Sequence, residues 1–292
     1  IVCKLFKIKI AFWSHGYDRK IGFSPETKLA DKYRLFLMKW VDANIVYSQS
    51  DRKLLQQYLP KNTVFVAQNT LDTISLSMIR EKFDGEGKNK VKDRLGIKHE
   101  MNIVFIGRML ASKKPDLLLD VYSLLKSNYG LKVGVHFIGE GEMLSFIKEW
   151  IDTNSVENEF YLHGSVYDPL LSGELLFASD LMINPGDMGL SINHAYCFGC
   201  PVVSFETKNG YPAHGPEIEY VIDNKTGFLL KEHSAEALAM IIYEYFKNAE
   251  LQEAMRKNIL DAVENTFPME KMVNGFVECA RFLLLDKNSK NC

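Results

Sequence analysis

Along the chain, apolar runs of about four to six residues alternate with longer segments of helical period, the pattern of parallel strands covered by crossover helices. The runs predict strands at Lys9–Trp13, Ala43–Tyr47, Thr63–Val66, Asn102–Ile106, Lys132–Ile138, Glu159–Leu162, Leu181–Ile183, Pro201–Phe205 and Gly227–Leu230. The periodic segments predict helices at Glu26–Trp40, Asp51–Tyr58, Pro115–Tyr129, Glu142–Thr153, Gly189–Phe198, Ala235–Phe246, Ala249–Thr266 and Met269–Leu285. Strand and helix in strict alternation imply a doubly wound α/β architecture.

One stretch breaks the rhythm. Lys82–Lys98 is polar, holds Gly85, Gly87 and Gly96, and carries five lysines ahead of the apolar run at Asn102; it is the expected linker. It separates a first part, residues 1–84, with three strands, from a second, residues 85–266, with six, followed by a terminal segment, 267–292. Three strands are few for a doubly wound unit, so the first domain is expected to be short or incomplete. No internal repeat or low-complexity segment is visible.

Composition narrows the classes. The 292 residues are 47% hydrophobic, and 35 basic against 37 acidic side chains leave a net charge of −2, which argues against disorder and against a nucleic-acid partner. No apolar run approaches the ~20 residues of a membrane-spanning helix, and the lysines of the first residues do not suit a signal-peptide core. Five cysteines, an odd number spread over the chain, suggest no disulfide framework and a reducing compartment.

Ligands of open α/β sheets gather at the carboxyl ends of strands, and four such ends carry suitable residues. Gly107-Arg108 follows the fourth strand, with Ser112-Lys113-Lys114-Pro115 opening the next helix. Gly107 permits a sharp turn, Arg108 offers a fork of donors and Lys113 a mobile charge, although basic residues after a strand also simply face water. Gly139-Glu140-Gly141 lacks the third glycine of a dinucleotide fingerprint, and turn-making is its expected role. At His163-Gly164 a glycine would let a flat base approach the backbone, and His163 reads as a hydrogen-bonded structural histidine. The most informative end runs from Asn184 to Ala195: Gly186 and Gly189 precede a helix opened by Leu190 and Ser191, whose free amides suit a diphosphate, with Ser191 free to cap or donate. Cys197 and Cys200 have no second pair for zinc and read as core residues.

In this order and spacing the segments resemble the C-terminal nucleotide-sugar domain of the retaining GT-B glycosyltransferases of family 4. The likeness rests on Gly107-Arg108 with Lys113, on Gly139 and Gly141, on Gly164, on Pro185 to Val203, on Pro216-Glu217-Ile218-Glu219 and on Asn224 to Leu230. Upstream, Trp13-Ser14-His15-Gly16 resembles the family's acceptor-side histidine, and Gln68 to Asp72 the turn that closes that domain. The resemblance implies a GT-B fold of two Rossmann-like doubly wound domains, the first incomplete here, with Phe267–Leu285 as the helix that crosses back to it. Most family members carry two glutamates eight positions apart in the motif where this chain has Gly186 and His194. As in some bacterial members, His194 would then hold the ribose hydroxyls.

The activity so implied is transfer of a sugar from a nucleotide-diphosphate sugar to a glycan or lipid-linked acceptor, with retention, in cell-surface polysaccharide synthesis. Arg108 and Lys113, with the amides near Gly189, Leu190 and Ser191, would steady the leaving diphosphate without a metal or other cofactor. His15 would lie beside the anomeric centre or the diphosphate, and Glu217 and Glu219 would touch the sugar unless they belong to a solvated loop or a helix N-terminus. A cytoplasmic location follows from nucleotide-sugar use, and Lys4, Lys7, Lys9, Arg19 and Lys20 raise a peripheral contact with the inner face of the membrane. Two alternatives stay open: a non-catalytic nucleotide-sugar binding module, and a nucleotide-sugar epimerase or sugar-phosphate synthase on the same fold.

Overall fold

The computed structural model describes residues 2–288. Residues up to Leu71 and from Thr266 onward form one unit, and Asp72–Asn265 form the other.

In the first unit, helix α1 (Val2–Leu5) precedes strand β1 (Ala11–Trp13), α2 (Leu29–Trp40), β2 (Ala43–Val46), α3 (Gln49–Leu55) and β3 (Val64–Val66). The strands pair in parallel in the order β1-β2-β3, with Ala11 opposite Ala43 and Asn44 opposite Val64. One face buries Val46 and Val64 against Met38, Leu55 and Leu59. The other face buries Ala43, Ile45 and Ala67 against Cys279 of the C-terminal helix Met269–Asn288. That helix lies tight on the sheet because Gly275 has no side chain: a Cβ there would sit 2.0 Å from the Val66 carbonyl oxygen. The expected crossover helix thus belongs to the first unit.

The second unit opens with two helices, α4 (Thr73–Glu86) and α5 (Lys88–Arg94), where a linker was expected. The correction has a physical reason. Asp72 caps α4 by accepting from the Ser75 amide at 3.1 Å, and Thr73, Leu76, Arg80 and Phe83 form a buried stripe at helical spacing, which the surrounding charges disguise. There follow β4 (Met101–Ile106), α6 (Leu117–Tyr129), β5 (Val133–Ile138), α7 (Leu144–Asn154), β6 (Phe160–Leu162), α8 (Pro169–Ala178), β7 (Leu181–Ile183), α9 (Ser191–Cys197), β8 (Val202–Phe205), β9 (Gly227–Leu230), α10 (Ala235–Lys247) and α11 (Ala249–Asn265). Helix α8 was not anticipated: six of its residues from Ser172 onward are buried and its exposed first turn carries Leu170 and Leu171, so it lacks an amphipathic period. Its Gly173 packs on Phe198, where a Cβ would lie 2.4 Å from the ring. The terminal helix completes the set as α12.

All six strands of this unit are parallel, in the order β6-β5-β4-β7-β8-β9. Counted from β4, that is 3-2-1-4-5-6, the doubly wound order whose direction of winding reverses between the first and fourth strands. Ile103, Phe105, Val135, Phe137, Ile183, Val203 and Phe205 form the interior of the sheet's core.

Candidate functional site

The reversal lies between β4 and β7, neighbours with Ile103 opposite Leu181, and the chain leaves their carboxyl ends through Gly107–Lys114 and Asn184–Leu190. Beyond β4, Gly107 takes φ 147° and its amide bonds the Ile138 carbonyl at 2.9 Å. Arg108 is exposed and its guanidinium hydrogen-bonds no described residue, so its fork of donors is open to a ligand. Lys113 ends a single 3-10 turn, Ala111–Lys113, and its Nζ donates to the Asp187 carbonyl at 2.5 Å. Burial lowers the Lys113 pKa, Asp187 opposes the shift and the Arg108 charge adds to it. The two cations expected at the diphosphate are therefore neighbours.

The glycines at these strand ends do two different jobs. At Gly139 a Cβ would stand 2.0 Å from the Gly107 carbonyl oxygen, and at Gly186 it would stand 2.3 Å from both Lys113 Cα and the Ser112 carbonyl oxygen. Both let one strand-end loop lie on another. Around Gly107, Gly164 and Gly189 a Cβ meets only side chains, at 3.6, 3.5 and 3.6 Å respectively, so no other main chain crowds the side on which their Cβ would stand.

The loop after β7 is zipped to the segment after β8. The Ala213 amide donates to Asp187 Oδ1 and the Gly215 amide to the Met188 carbonyl, both at 2.6 Å. His214 Nε2 donates to the Phe205 carbonyl at 2.9 Å, so its Nδ1 accepts from the Met188 amide at 3.3 Å. The Tyr211 hydroxyl reaches across to the Ser112 carbonyl at 2.7 Å. Sequence reasoning missed His214 and Tyr211 because neither belongs to a motif or a period. Glu217 and Glu219 stand on a five-residue 3-10 helix, Pro216–Tyr220. Both acids thus lie in a helix's first turn, one of the two alternatives for them, and not in a solvated loop: Glu217 is 2% exposed and packs beside Gly189 and Gly215, while Glu219 is half-buried.

Helix α9 begins after Leu190, which occupies the N-cap position with no side-chain cap, so Ser191 is not the cap. The amides of Gly189, Leu190 and Ser191 donate to no described residue. One turn on, half-buried His194 lies edge-on to Phe198 at 5.7 Å, and burial lowers its pKa to about 4. Its ring nitrogens bond no described residue, unlike a satisfied core histidine. Cys197 and Cys200 are buried, and burial pushes both thiols up to about 12, which keeps them protonated and inert.

His15 belongs to the first unit. It follows β1, stacks on Tyr47 at 4.4 Å, and lines a cavity of about 370 Å³ with Phe12, Ser14, Arg34 and Met38. Burial lowers its pKa, Arg19 adds to the shift and Asp51 opposes it. Arg19 and the buried Asp51 form a two-pronged ion pair, both contacts at 2.7 Å.

The profile of the family described as "Glycosyl transferases group 1" matches residues 87–261. The chain belongs to the glycosyl transferases group 1. Its relatives include the Staphylococcus aureus poly(ribitol-phosphate) alpha-N-acetylglucosaminyltransferase, 29% identical over 87% of this chain and 52% of that protein; the chain thus spans about half the length of that group 1 relative. Among solved structures, Anabaena Alr3699/HepE in complex with UDP superposes with a TM-score of 0.72 at 19% identity, covering 96% of this chain and 74% of that one. A Rickettsia africae glycosyltransferase gives 0.74 at 19% identity, over 96% and 72% respectively. These neighbours share the GT-B fold expected of the group. Among the described residues no helix is long and apolar enough to cross a membrane.

Proposed function

We propose that the chain is a retaining glycosyltransferase whose second unit binds a nucleotide-diphosphate sugar at the β4/β7 reversal. The observation that carries this reading is the meeting there of an open Arg108, an adjoining Lys113 and the unclaimed amides of Gly189, Leu190 and Ser191. Departure of a nucleoside diphosphate builds negative charge on its oxygens. Fixed donors already aimed at that charge lower the barrier without reorganising. Arg108 grips two oxygens at once, and Lys113 turns from the Asp187 carbonyl to a third. This cationic clamp takes the place that a metal fills in other transferases. His194, neutral at pH 7, accepts from one ribose hydroxyl and donates to another. The departing phosphate takes the acceptor's proton, so no protein base is required, and His15, also neutral, serves the acceptor side.

The acceptor is a glycan or a lipid-linked sugar; the staphylococcal relative's name, which puts N-acetylglucosamine on a phosphate-linked polymer, supports a surface-polymer role. The reaction belongs to the cytoplasm, where the donor is supplied. A peripheral membrane contact has less support: Lys4 and Lys9 share Asp42 at 2.9 and 3.5 Å, and Arg19 pairs with Asp51, so three of the five basic groups near residues 4–20 already have an acidic partner.

A thermal-shift screen of the full chain with UDP, GDP and ADP sugars, followed by transfer assays with and without EDTA, tests the reading. Stabilisation by one nucleotide class and chelator-resistant transfer are expected. Activity that EDTA abolishes and Mn²⁺ restores would refute the clamp, binding without turnover would favour a binding module, and altered sugar without transfer would favour an epimerase.

A further inference from the structure

A chain of hydrogen bonds runs behind the β5/β6 edge and ends beside Gly164. In β4, Asn102 Nδ2 donates to the His99 carbonyl at 2.8 Å. Because a carbonyl only accepts, this contact fixes the amide and makes Oδ1 the group that faces His136 Nε2 at 3.1 Å. His136 must therefore carry its proton on Nε2. Its ring is fully buried, and burial holds its pKa well below the usual imidazole value, so Nδ1 is left as a lone pair. That lone pair faces His163 Nε2 at 3.1 Å, and His163 must donate from Nε2. His163 is also neutral, its pKa lowered to about 4 by burial, which leaves Nδ1 as an acceptor.

The arrangement is built for. Gly134 makes room for it, since a Cβ there would lie 2.5 Å from Asn102 Oδ1. The rings of His136, Tyr161 and His163 lie nearly parallel, His136 to Tyr161 at 4.4 Å and His136 to His163 at 5.4 Å, which prevents the imidazoles from turning over. His163 is half-buried, one residue past the end of β6, and its Nδ1 bonds no described residue.

In a doubly wound unit the nucleoside of a ligand whose phosphates sit at the reversal extends along the carboxyl ends of the strands, here past His163 and Gly164, which follow the end of β6. We infer that His163, oriented by His136 and Asn102, presents the Nδ1 lone pair to the nucleotide base and selects a base with a ring N–H. Uracil and guanine have one at the pairing edge; cytosine and adenine present a lone pair at the equivalent ring nitrogen. A fixed acceptor opposite that lone pair forfeits a hydrogen bond and leaves both partners desolvated. His163 and the base form the contact, and His136 and Asn102 are positioning residues. The inference rests on the nucleotide-sugar reading above.

The test measures affinities of UDP, CDP, GDP and ADP for the full chain by calorimetry, and the His163 tautomer by ¹⁵N NMR at pH 7.5. Expected are an Nε2–H tautomer and a preference of about five- to tenfold for UDP over CDP and for GDP over ADP. His163→Phe keeps a stacked ring, loses the acceptor and should bring both ratios within about twofold. His136→Phe, which releases the tautomer, should lower the ratios and shift the NMR signals toward a mixture. An Nδ1–H tautomer, or ratios unchanged in folded His163→Phe, would overturn the inference while leaving the diphosphate clamp standing. Failure of all four nucleotides to bind would overturn the nucleotide reading itself, and this inference with it.

Discussion

The contact of the two loops at the sheet's reversal rests on one missing side chain, so Gly186→Ala is the sharpest perturbation of the site. The new Cβ would lie 2.3 Å from Lys113 Cα, 2.3 Å from the Ser112 carbonyl oxygen and 2.6 Å from the Lys113 carbonyl carbon. All three are main-chain atoms, so no rotamer change relieves the clash and one loop must move off the other. Overpacking of this kind costs ~1–3 kcal/mol, and in a unit of this size each kcal/mol lowers the melting temperature by ~2–4 °C. A loss of about 2 to 12 °C is expected. Displacing the Lys113 turn should also weaken nucleotide binding, because the Lys113 ammonium would leave the Asp187 carbonyl at which it is now held. Gly85→Ala is the matched control: the position is in α4, with nothing within 4 Å of a Cβ, and the change should stabilise by ~0.5–1 kcal/mol. Differential scanning calorimetry and nucleotide titration on both variants decide the matter. Wild-type melting and affinity in Gly186→Ala would show that the loops do not pack as described.

Three other outcomes are expected. Arg108→Ala should cost ~1.5–3 kcal/mol of nucleotide-sugar affinity with little change in melting temperature, and equal affinity by calorimetry would remove Arg108 from the clamp. His194→Ala should weaken free nucleotide and nucleotide sugar alike while preserving discrimination among sugars, whereas His194→Glu should retain binding; a melting-temperature loss with no loss of affinity would make the residue structural. Stability should fall in mild acid, because His136, His163 and His194 have folded-state pKa values depressed below the unfolded value of 6.5, the latter two to about 4. Below pH 6.5 the unfolded chain binds the extra protons, so stability is flat above that pH and drops as pH falls toward 4, by up to ~3 kcal/mol for each fully depressed histidine; urea midpoints that do not change between pH 7.5 and 5 would contradict the buried, neutral rings.

The strands were the most legible part of the chain. All nine lie where apolar runs predicted them, with ends displaced by at most two residues; strands buried on both faces, such as β2, β5, β7 and β8, write mostly apolar runs, and exposed β1 is apolar as well. Helices were legible only where one face is wet. Helix α8 buries Leu175, Leu176, Phe177 and Ala178 in succession, and such a run shows no helical period. Helix α4 errs the other way: its buried stripe includes Arg80, held by Asp84 and Glu81, and a buried arginine reads as a surface residue. The unit boundary follows from the same error, falling after Leu71 instead of within the charged stretch. At the candidate site, Arg108, Lys113 and Gly189 could be singled out from the sequence because strand-end glycines and cations make short local patterns, and the structure brings Arg108 and Lys113 together. His136, Asn102, His214 and Tyr211 act through partners far away in sequence, and no local pattern announces them.

The strand-end motifs also blend two demands that the structure separates. A glycine there can spare room for a ligand or for another backbone, and the letters are the same in both cases. Gly139 and Gly186 serve the second demand, with carbonyl oxygens 2.0 and 2.3 Å from where a Cβ would be, whereas at Gly107, Gly164 and Gly189 a Cβ would meet only side chains, 3.5 Å or more away. The position that usually carries the first glutamate of the group's motif is thus filled here by a residue on which the Lys113 turn rests. A glutamate at 186 would need that turn to move away, taking the ammonium with it. The pairing of Gly186 with a neutral histidine at 194 is therefore internally consistent: a loop packed this closely has no room for a carboxylate at its first motif position, and in the proposed mode of binding the polar contacts with the nucleotide fall to Arg108, Lys113 and the His194 imidazole.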